Sequence, residues 1–235
     1  CSQCSCSSIH SACRAQAKRD LPSLATTSSQ APRFYVESIA VIDFETTGVS
    51  PTKARATEIG VAIIEDGRIV DRYQSLMNSG AWVPPFIEQL TGISNAMLRK
   101  APPSEQVMNE VADFIGERPL LAHNASFDQK FWDAELARVR RRRLQPFACS
   151  LLLSRRLLPE APSHKLDNLN AWAGLPDTGR AHRALADAEM AANLTLHLFG
   201  LLRERHGRHQ ADHAFLCQLQ NLSAAKVRAL LASAC

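Results

Sequence analysis

The sequence predicts an α/β domain built on a mixed central sheet of about five strands with helices on both faces. Two observations carry this reading. Between residues 37 and 77 the apolar positions alternate with polar ones or run unbroken over strand lengths, rich in β-branched residues. From residue 85 onward they recur at helical spacing instead, interrupted only by short strand-like runs at 119–122 and 147–150. A run of strands followed by alternating helices and strands belongs to the α/β architectures.

Composition sets the outer bounds. The chain has 235 residues, 46% of them hydrophobic, with 27 Lys and Arg against 23 Asp and Glu. This is enough apolar residue to bury one good-sized core, and too much for a disordered polyelectrolyte. No run approaches the roughly 18 uninterrupted apolar residues of a membrane helix, so a soluble protein is expected. Seven cysteines, four of them crowded into the first thirteen residues, are too lopsided for a disulfide framework. A reducing compartment, the cytoplasm, follows. The chain starts at Cys1 and not at Met, which suggests a native start upstream or a removed segment.

Taken in order, residues 1–33 are Ser-rich, basic and without apolar period, and read as a disordered or linker-like extension. Their faint likeness to a transit segment lacks the apolar stretch of a secretory signal. Cys1, Cys4, Cys6 and Cys13 have thiolate spacing, but no histidine at finger spacing and no apolar shell, so zinc is not expected there. Residues 34–204 form the main domain, and 205–235 a C-terminal extension with a weakly amphipathic helix at 224–233.

Within the main domain the first strand ends at Thr46-Thr47-Gly48. Two more strands, at 56–64 and 69–77, are joined through Asp66-Gly67, a hairpin turn signal. Short helical pieces at 86–90 and 95–100 precede an amphipathic helix at 104–115. A fourth strand at 119–122 leads into a helix capped by Asn124 that runs to the Arg140–Arg143 stretch. A fifth strand at 147–150 and helices at 151–158 and 166–173 follow. The last strong helix starts near His182, with Leu185, Ala188, Ala192, Leu196, Phe199 and Leu202 on its apolar face. Trp82, Trp132 and Trp172 are read as core or pocket wall.

Chemistry concentrates at three places. Asp43 and Glu45 lie two apart on a strand and so project from one face. Two readings fit them: ordinary exposed acids at a strand end, or ligands of a hard, oxygen-seeking ion such as Mg2+ or Mn2+. Asp128 falls in the first turn of the helix after the fourth strand, where the helix dipole alone accounts for an acid. Asp187 lies about 200° around its helix from Leu185, off the apolar face and free to line a site. His182, five residues earlier, precedes that helix or opens it.

Together the segments Asp-Phe-Glu-Thr-Thr-Gly (43–48), His-Asn-Ala-Ser-Phe-Asp (123–128) and His-x-x-x-x-Asp (182–187) resemble the three motifs of the DEDDh, or DnaQ-like, exonuclease superfamily. That group includes the epsilon proofreading subunit of bacterial DNA polymerase III. Glu58-Ile59-Gly60, Leu90-Thr91-Gly92-Ile93-Ser94 and His164-Lys165-Leu166-Asp167 are similar as well. The likeness extends from about residue 38 to 199. A Tyr-type relative would carry Tyr four residues before the last Asp. Here that position is Arg183, with His182 at five, which indicates the His branch.

The resemblance implies a ribonuclease H-like fold and metal-dependent 3′–5′ hydrolysis of phosphodiesters, releasing nucleoside 5′-monophosphates. Asp43, Glu45, Asp128 and Asp187 would hold two divalent ions, Mg2+ or Mn2+, and His182 would act as general base, its ordinary pKa of about 6.5 suiting that role. Thr46, Thr47 and Gly48 would lie against the terminal nucleotide. His123, Asn124, Phe127 and His164 are assigned to the substrate pocket, His123 as support. The expected partner is nucleic acid with a single-stranded or frayed 3′ end, DNA in a proofreading or repair role. RNA ends or short oligoribonucleotides are the alternative substrate. A DNA polymerase subunit is a further partner the family implies, although the tail after His206 does not match the polymerase-binding part, so a free-standing enzyme is expected. A non-catalytic polymerase-docking module is the alternative of another class; four mutually repelling carboxylates argue against it. Arg138 and Arg140–Arg143 are read as a solvated helix end, and His206, His209 and His213 as no metal site.

Overall fold

The computed structural model describes residues 38–179 and 182–233. Five strands, β1 (Ile39–Thr46), β2 (Ala56–Glu65), β3 (Arg68–Leu76), β4 (Leu120–Ala122) and β5 (Phe147–Cys149), form one mixed sheet in the order β3-β2-β1-β4-β5. β1, β2 and β3 are antiparallel neighbours, whereas β4 lies parallel to β1 and to β5. The β2–β3 hairpin turns through Asp66 (φ 49°) and Gly67 (φ 76°), the pair of left-handed residues that a tight right-twisted hairpin requires.

β1 is buried on both faces, and its alternation sorts two cores. Ala40, Ile42 and Phe44 face a cluster with Val107, Val111, Phe131 and Trp132 from α3 (Ser104–Ile115) and α4 (Ser126–Arg138). Ile39 and Val41 face the opposite cluster, with residues of α5 (Ser150–Leu157), α6 (Leu166–Trp172) and α7 (Ala184–His206). Helices therefore cover both faces. A small third cluster of Val83, Ile87, Ile93 and Leu98 lies under α1 (Pro85–Thr91) and α2 (Asn95–Leu98). Between those helices Gly92 takes a left-handed φ of 74°, the Thr91 hydroxyl accepts from the Ile93 N–H, and Ser94 caps α2 at Met97 N. The Leu-Thr-Gly-Ile-Ser segment is thus a built helix–turn–helix joint.

Three expectations need correction. Asn124 does not cap α4: it takes a left-handed φ of 62°, and the helix begins at Ser126 and stops at Arg138, before the arginine run. α7 has no single apolar stripe. Ala184, Ala186, Ala188, Met190, Ala191 and Ala192 are all buried, because small residues let this helix sink between the sheet and its neighbours, while Leu185 is only half-buried. Trp132 is core, but Trp82 and Trp172 are exposed.

The expected domain end at 204 falls inside α7, and the chain beyond it joins the same core. α8 (His213–Asn221), which the polar sequence hid, buries Leu216 and Leu219, and α9 (Ala224–Ala232) buries Val227 and Leu231. Asp212, whose carboxylate accepts from Phe215 N, is the cap that would have revealed α8. Gln220 closes the sheet edge: its Oε1 accepts from the Cys149 N–H at 2.7 Å and its Nε2 donates to Phe147 O at 3.0 Å. His213 is buried with Nε2 at 2.7 Å from the Leu120 carbonyl.

Candidate active site

Register places the acids. On β1, Asp43 and Glu45 continue the face of Ile39 and Val41, beyond the point where α7 covers it. Their partners on β2 are Gly60 opposite Asp43 and Glu58 opposite Glu45. A Cβ on Gly60 would stand 2.2 Å from the Ala184 carbonyl carbon and the Leu185 nitrogen. Only glycine lets α7 begin there, directly over the strand pair, and this brings Asp187 in its first turn to the same end of β1.

Two acids facing each other across a ladder repel. The Glu45–Glu58 pair is managed by Arg183, which donates from Nε and Nη2 to the two Glu58 oxygens at 3.1 and 2.7 Å. Glu58 also accepts from the Ala184 N–H at 3.1 Å and from Gln74 Nε2 at 2.8 Å, so a carboxylate on β2 does the work of a cap for α7. Arg183 was not singled out from sequence as a functional group. Glu58, the one charged residue between 56 and 64 in the otherwise largely apolar β2, was the available signal.

Asp128 arrives from the other side. β1 runs past its last pairing with β4, at Val41–Leu121, which leaves the Phe44 N–H without a strand partner. Asp128 Oδ1 accepts from it at 3.1 Å, fastening the first turn of α4 to the end of β1. His182 lies on the loop before α7, exposed, with a left-handed φ of 61° and its N–H donating to Asp187 Oδ2 at 3.1 Å.

The four acids influence one another. Burial, followed by Asp128, Asp187 and Glu45, holds the Asp43 carboxyl well above the usual range. Burial with Asp187, Glu58 and Asp128 pushes Glu45 up to about 8, Arg183 pulling it back. Asp128 also rises to about 8, mainly by burial and against the Phe44 hydrogen bond, and burial raises Asp187 against the pull of His182. Such a donor set fits a hard divalent cation, whose charge would offset what burial and repulsion impose. Glu45, His182 and Asp187 each place one donor atom within 4.8 Å of the others, the one group of this kind among the described residues; Asp43 and Asp128 lie outside that tightest set.

Thr46, Thr47 and Gly48 form the end of β1 and the turn beyond it, with Thr46 Oγ1 donating to Gly48 O and Thr47 Oγ1 accepting from Arg55 N. Arg55 is in turn paired twice with buried Glu135 of α4, at 2.8 and 2.9 Å, and bonds Ser104 of α3. His123, Asn124 and His164 line a cleft of about 750 Å3 that also reaches His182 and Asp187. His123 is held between Ser150 Oγ and the His164 carbonyl, each at 3.0 Å, and burial lowers its pKa to about 4, so it is neutral support. Phe127 is not brought to the cleft: its ring packs on Phe131 at 5.0 Å. Part of the arginine run is structural, Arg143 pairing with Asp133 and Arg141 with Asp113.

A mixed sheet with this order, carrying clustered carboxylates where an antiparallel meander meets parallel strands, defines a ribonuclease H-like nuclease. The sequence model of the exonuclease family of RNase T type matches residues 40–195, and the chain belongs to that family, whose members depend on divalent metal. The DNA polymerase III subunit epsilon of Aquifex aeolicus is 30% identical over 171 residues, 72% of this chain and 84% of the relative. The 3′-5′ exonuclease DinG of Bacillus subtilis is 35% identical over 192 residues, 80% of this chain but 20% of that much longer protein. In structure, exonuclease X in complex with 5′ overhanging duplex DNA matches with a TM-score of 0.63 and 24% identity, over 78% of this chain and 99% of its own, a likeness of fold. Among the described residues no helix is long and apolar enough to cross a membrane.

Proposed function

We propose that this protein removes nucleotides one at a time from the 3′ end of DNA, in a proofreading or repair setting. The observation that carries the reading is the convergence of Asp43, Glu45, Asp128 and Asp187 with His182 at the ends of β1, α4 and α7, beside an open cleft. Asp43, Glu45, Asp128 and Asp187 would hold divalent cations, with Mg2+ or Mn2+ suited to the oxygen donors. When bound, such ions supply Lewis-acid activation of water and offset charge on the phosphoryl oxygens.

The chain's own groups supply the remainder. His182 takes the proton of the attacking water, and the hydrogen bond from its backbone to Asp187 holds the loop over the acids. Thr46, Thr47 and Gly48 position the terminal nucleotide, and the Arg55–Glu135 pair keeps that turn in place. DNA as substrate is supported by the likeness to a DNA polymerase III subunit.

The test uses the full chain with Mg2+ and 5′-labelled DNA and RNA oligonucleotides of one sequence. A ladder shortening from the 3′ end, faster on DNA, with nucleoside 5′-monophosphates released, is the expected result. Faster shortening of RNA would overturn the DNA assignment, and no hydrolysis of either with Mg2+ or Mn2+ would overturn the exonuclease reading.

A further inference from the structure

The cleft that reaches His182 and Asp187 is also lined by cations. These are Arg155, a turn and a half into α5, and Lys165, the residue before α6, both exposed and both lining the same volume of about 750 Å3 as His182 and Asp187. Most arginines near them are committed elsewhere. Arg156, the next residue, donates to the carbonyls of Leu222 and Leu152 at 2.7 and 2.6 Å, and Arg205 pairs with Glu160. Neither Arg155 nor Lys165 makes an ion pair or a side-chain hydrogen bond among the described residues. The charge of Arg155 is nonetheless felt inside the cleft, at His123. Asp167 is a further acid lining the cleft, and its Oδ1 accepts from the Asn168 N–H.

A strand that presents its 3′ end to Asp43, Glu45, Asp128 and Asp187 brings polyanion to a cluster of acids. Even with those acids offset by cations, net attraction for the rest of the strand has to come from other groups along its path. Two unpaired cations lining the same cleft are placed for that. We propose that Arg155 and Lys165 form a phosphate subsite that binds internucleotide phosphates upstream of the bond being cut. The subsite rests on the exonuclease reading above and adds that the enzyme engages more of its substrate than the terminal nucleotide. Because both side chains contact phosphate and not base edges, the subsite is indifferent to sequence.

The experiment compares the full chain with R155Q/K165Q on two substrates, the p-nitrophenyl ester of thymidine 5′-monophosphate and a single-stranded DNA 12-mer. The ester carries no upstream phosphate. For the variant, kcat/KM on the 12-mer is expected to fall about tenfold relative to its own kcat/KM on the ester, chiefly through KM. The plot of log KM against log salt should flatten by about 1.4, the value for two phosphate contacts on a single strand. R155K/K165R, which keeps both charges, should recover most of the loss. An unchanged 12-mer-to-ester ratio with an unchanged salt slope overturns the subsite. So does an equal loss on both substrates, which would place these residues in the chemistry or the fold. If the parent chain itself hydrolyses neither substrate, the exonuclease reading is what fails.

Discussion

Asp43 on β1 sits in register with Gly60 on β2, and the first turn of α7 rests on that glycine with its backbone 2.2 Å from where a Cβ would be. One missing methyl group therefore decides how near Asp187 comes to Asp43. Gly60→Ala should force α7 off the sheet, with a destabilisation of about 1–3 kcal/mol or more from overpacking against backbone. Loss of activity should exceed loss of folded protein, because the helix carries Asp187. Urea unfolding and initial rates at saturating Mg2+ measure the two effects; wild-type stability and rate in the variant would contradict the packing described.

Stability should depend on pH through the acid cluster, with a definite sign. Glu45 and Asp128, at about 8 in the folded protein, lie well above the ordinary carboxylate range of about 4. Between those values the folded state binds more protons than the unfolded state. The stabilisation present at low pH is then lost as pH rises toward 8. In chelator, the wild-type melting temperature relative to a D43N/E45Q variant should drop between pH 5 and pH 8, and saturating Mg2+ should close the gap. A pH-independent difference between the two proteins would show that these acids do not repel as the geometry requires.

Metal dependence gives a separate prediction. Activity should vanish with chelator and return with Mg2+ or Mn2+, while Asp43→Ala should lack detectable turnover yet melt no lower than wild type, since it removes a repelling charge from a buried cluster. Full activity in excess chelator, or near-normal turnover by the variant, would remove Asp43 from the metal site.

His182→Ala should lower kcat by about 10² to 10⁴ with KM largely kept, the usual contribution of a positioned base. His182→Gln should behave alike. The imidazole is also within 4.8 Å of donor atoms of Glu45 and Asp187, so the Mg2+ concentration at half-maximal rate decides between roles. Unchanged metal affinity supports a base; a large rise makes His182 a ligand.

A chain ending at His206 should not fold stably. It would uncover the part of the core carried by β5 and α5, against which α8 and α9 place Leu216, Leu219, Val227 and Leu231, each buried aliphatic being worth about 1.5–3 kcal/mol. It would also leave the Leu120 and Phe147 carbonyls and the Cys149 N–H without His213 and Gln220. Soluble, cooperatively unfolding protein from that truncation would refute this.

The five strands, most of the helices and the segments that carry the acids were legible in the amino-acid order. Those signals are local: alternation on β1, the Asp66-Gly67 turn, the helical period of residues 104–115, and three short motifs in order. It also sufficed for the family, because motif residues keep their spacing along the chain wherever the fold later places them. The remainder depends on contacts between residues far apart in sequence, which exist only once the chain is folded. Glu58 holding Arg183 across 125 positions, Asp128 completing the hydrogen bond of Phe44, and Gln220 closing the edge of β5 leave no periodic trace in a polar stretch. The same reason hid α8, whose apolar face is only a few residues wide and is fastened to the sheet by buried His213 and half-buried Gln220. Arg155 and Lys165 come to line one cleft with His182 and Asp187 only on folding, since which charges share a cleft is a property of distance in space and not along the chain.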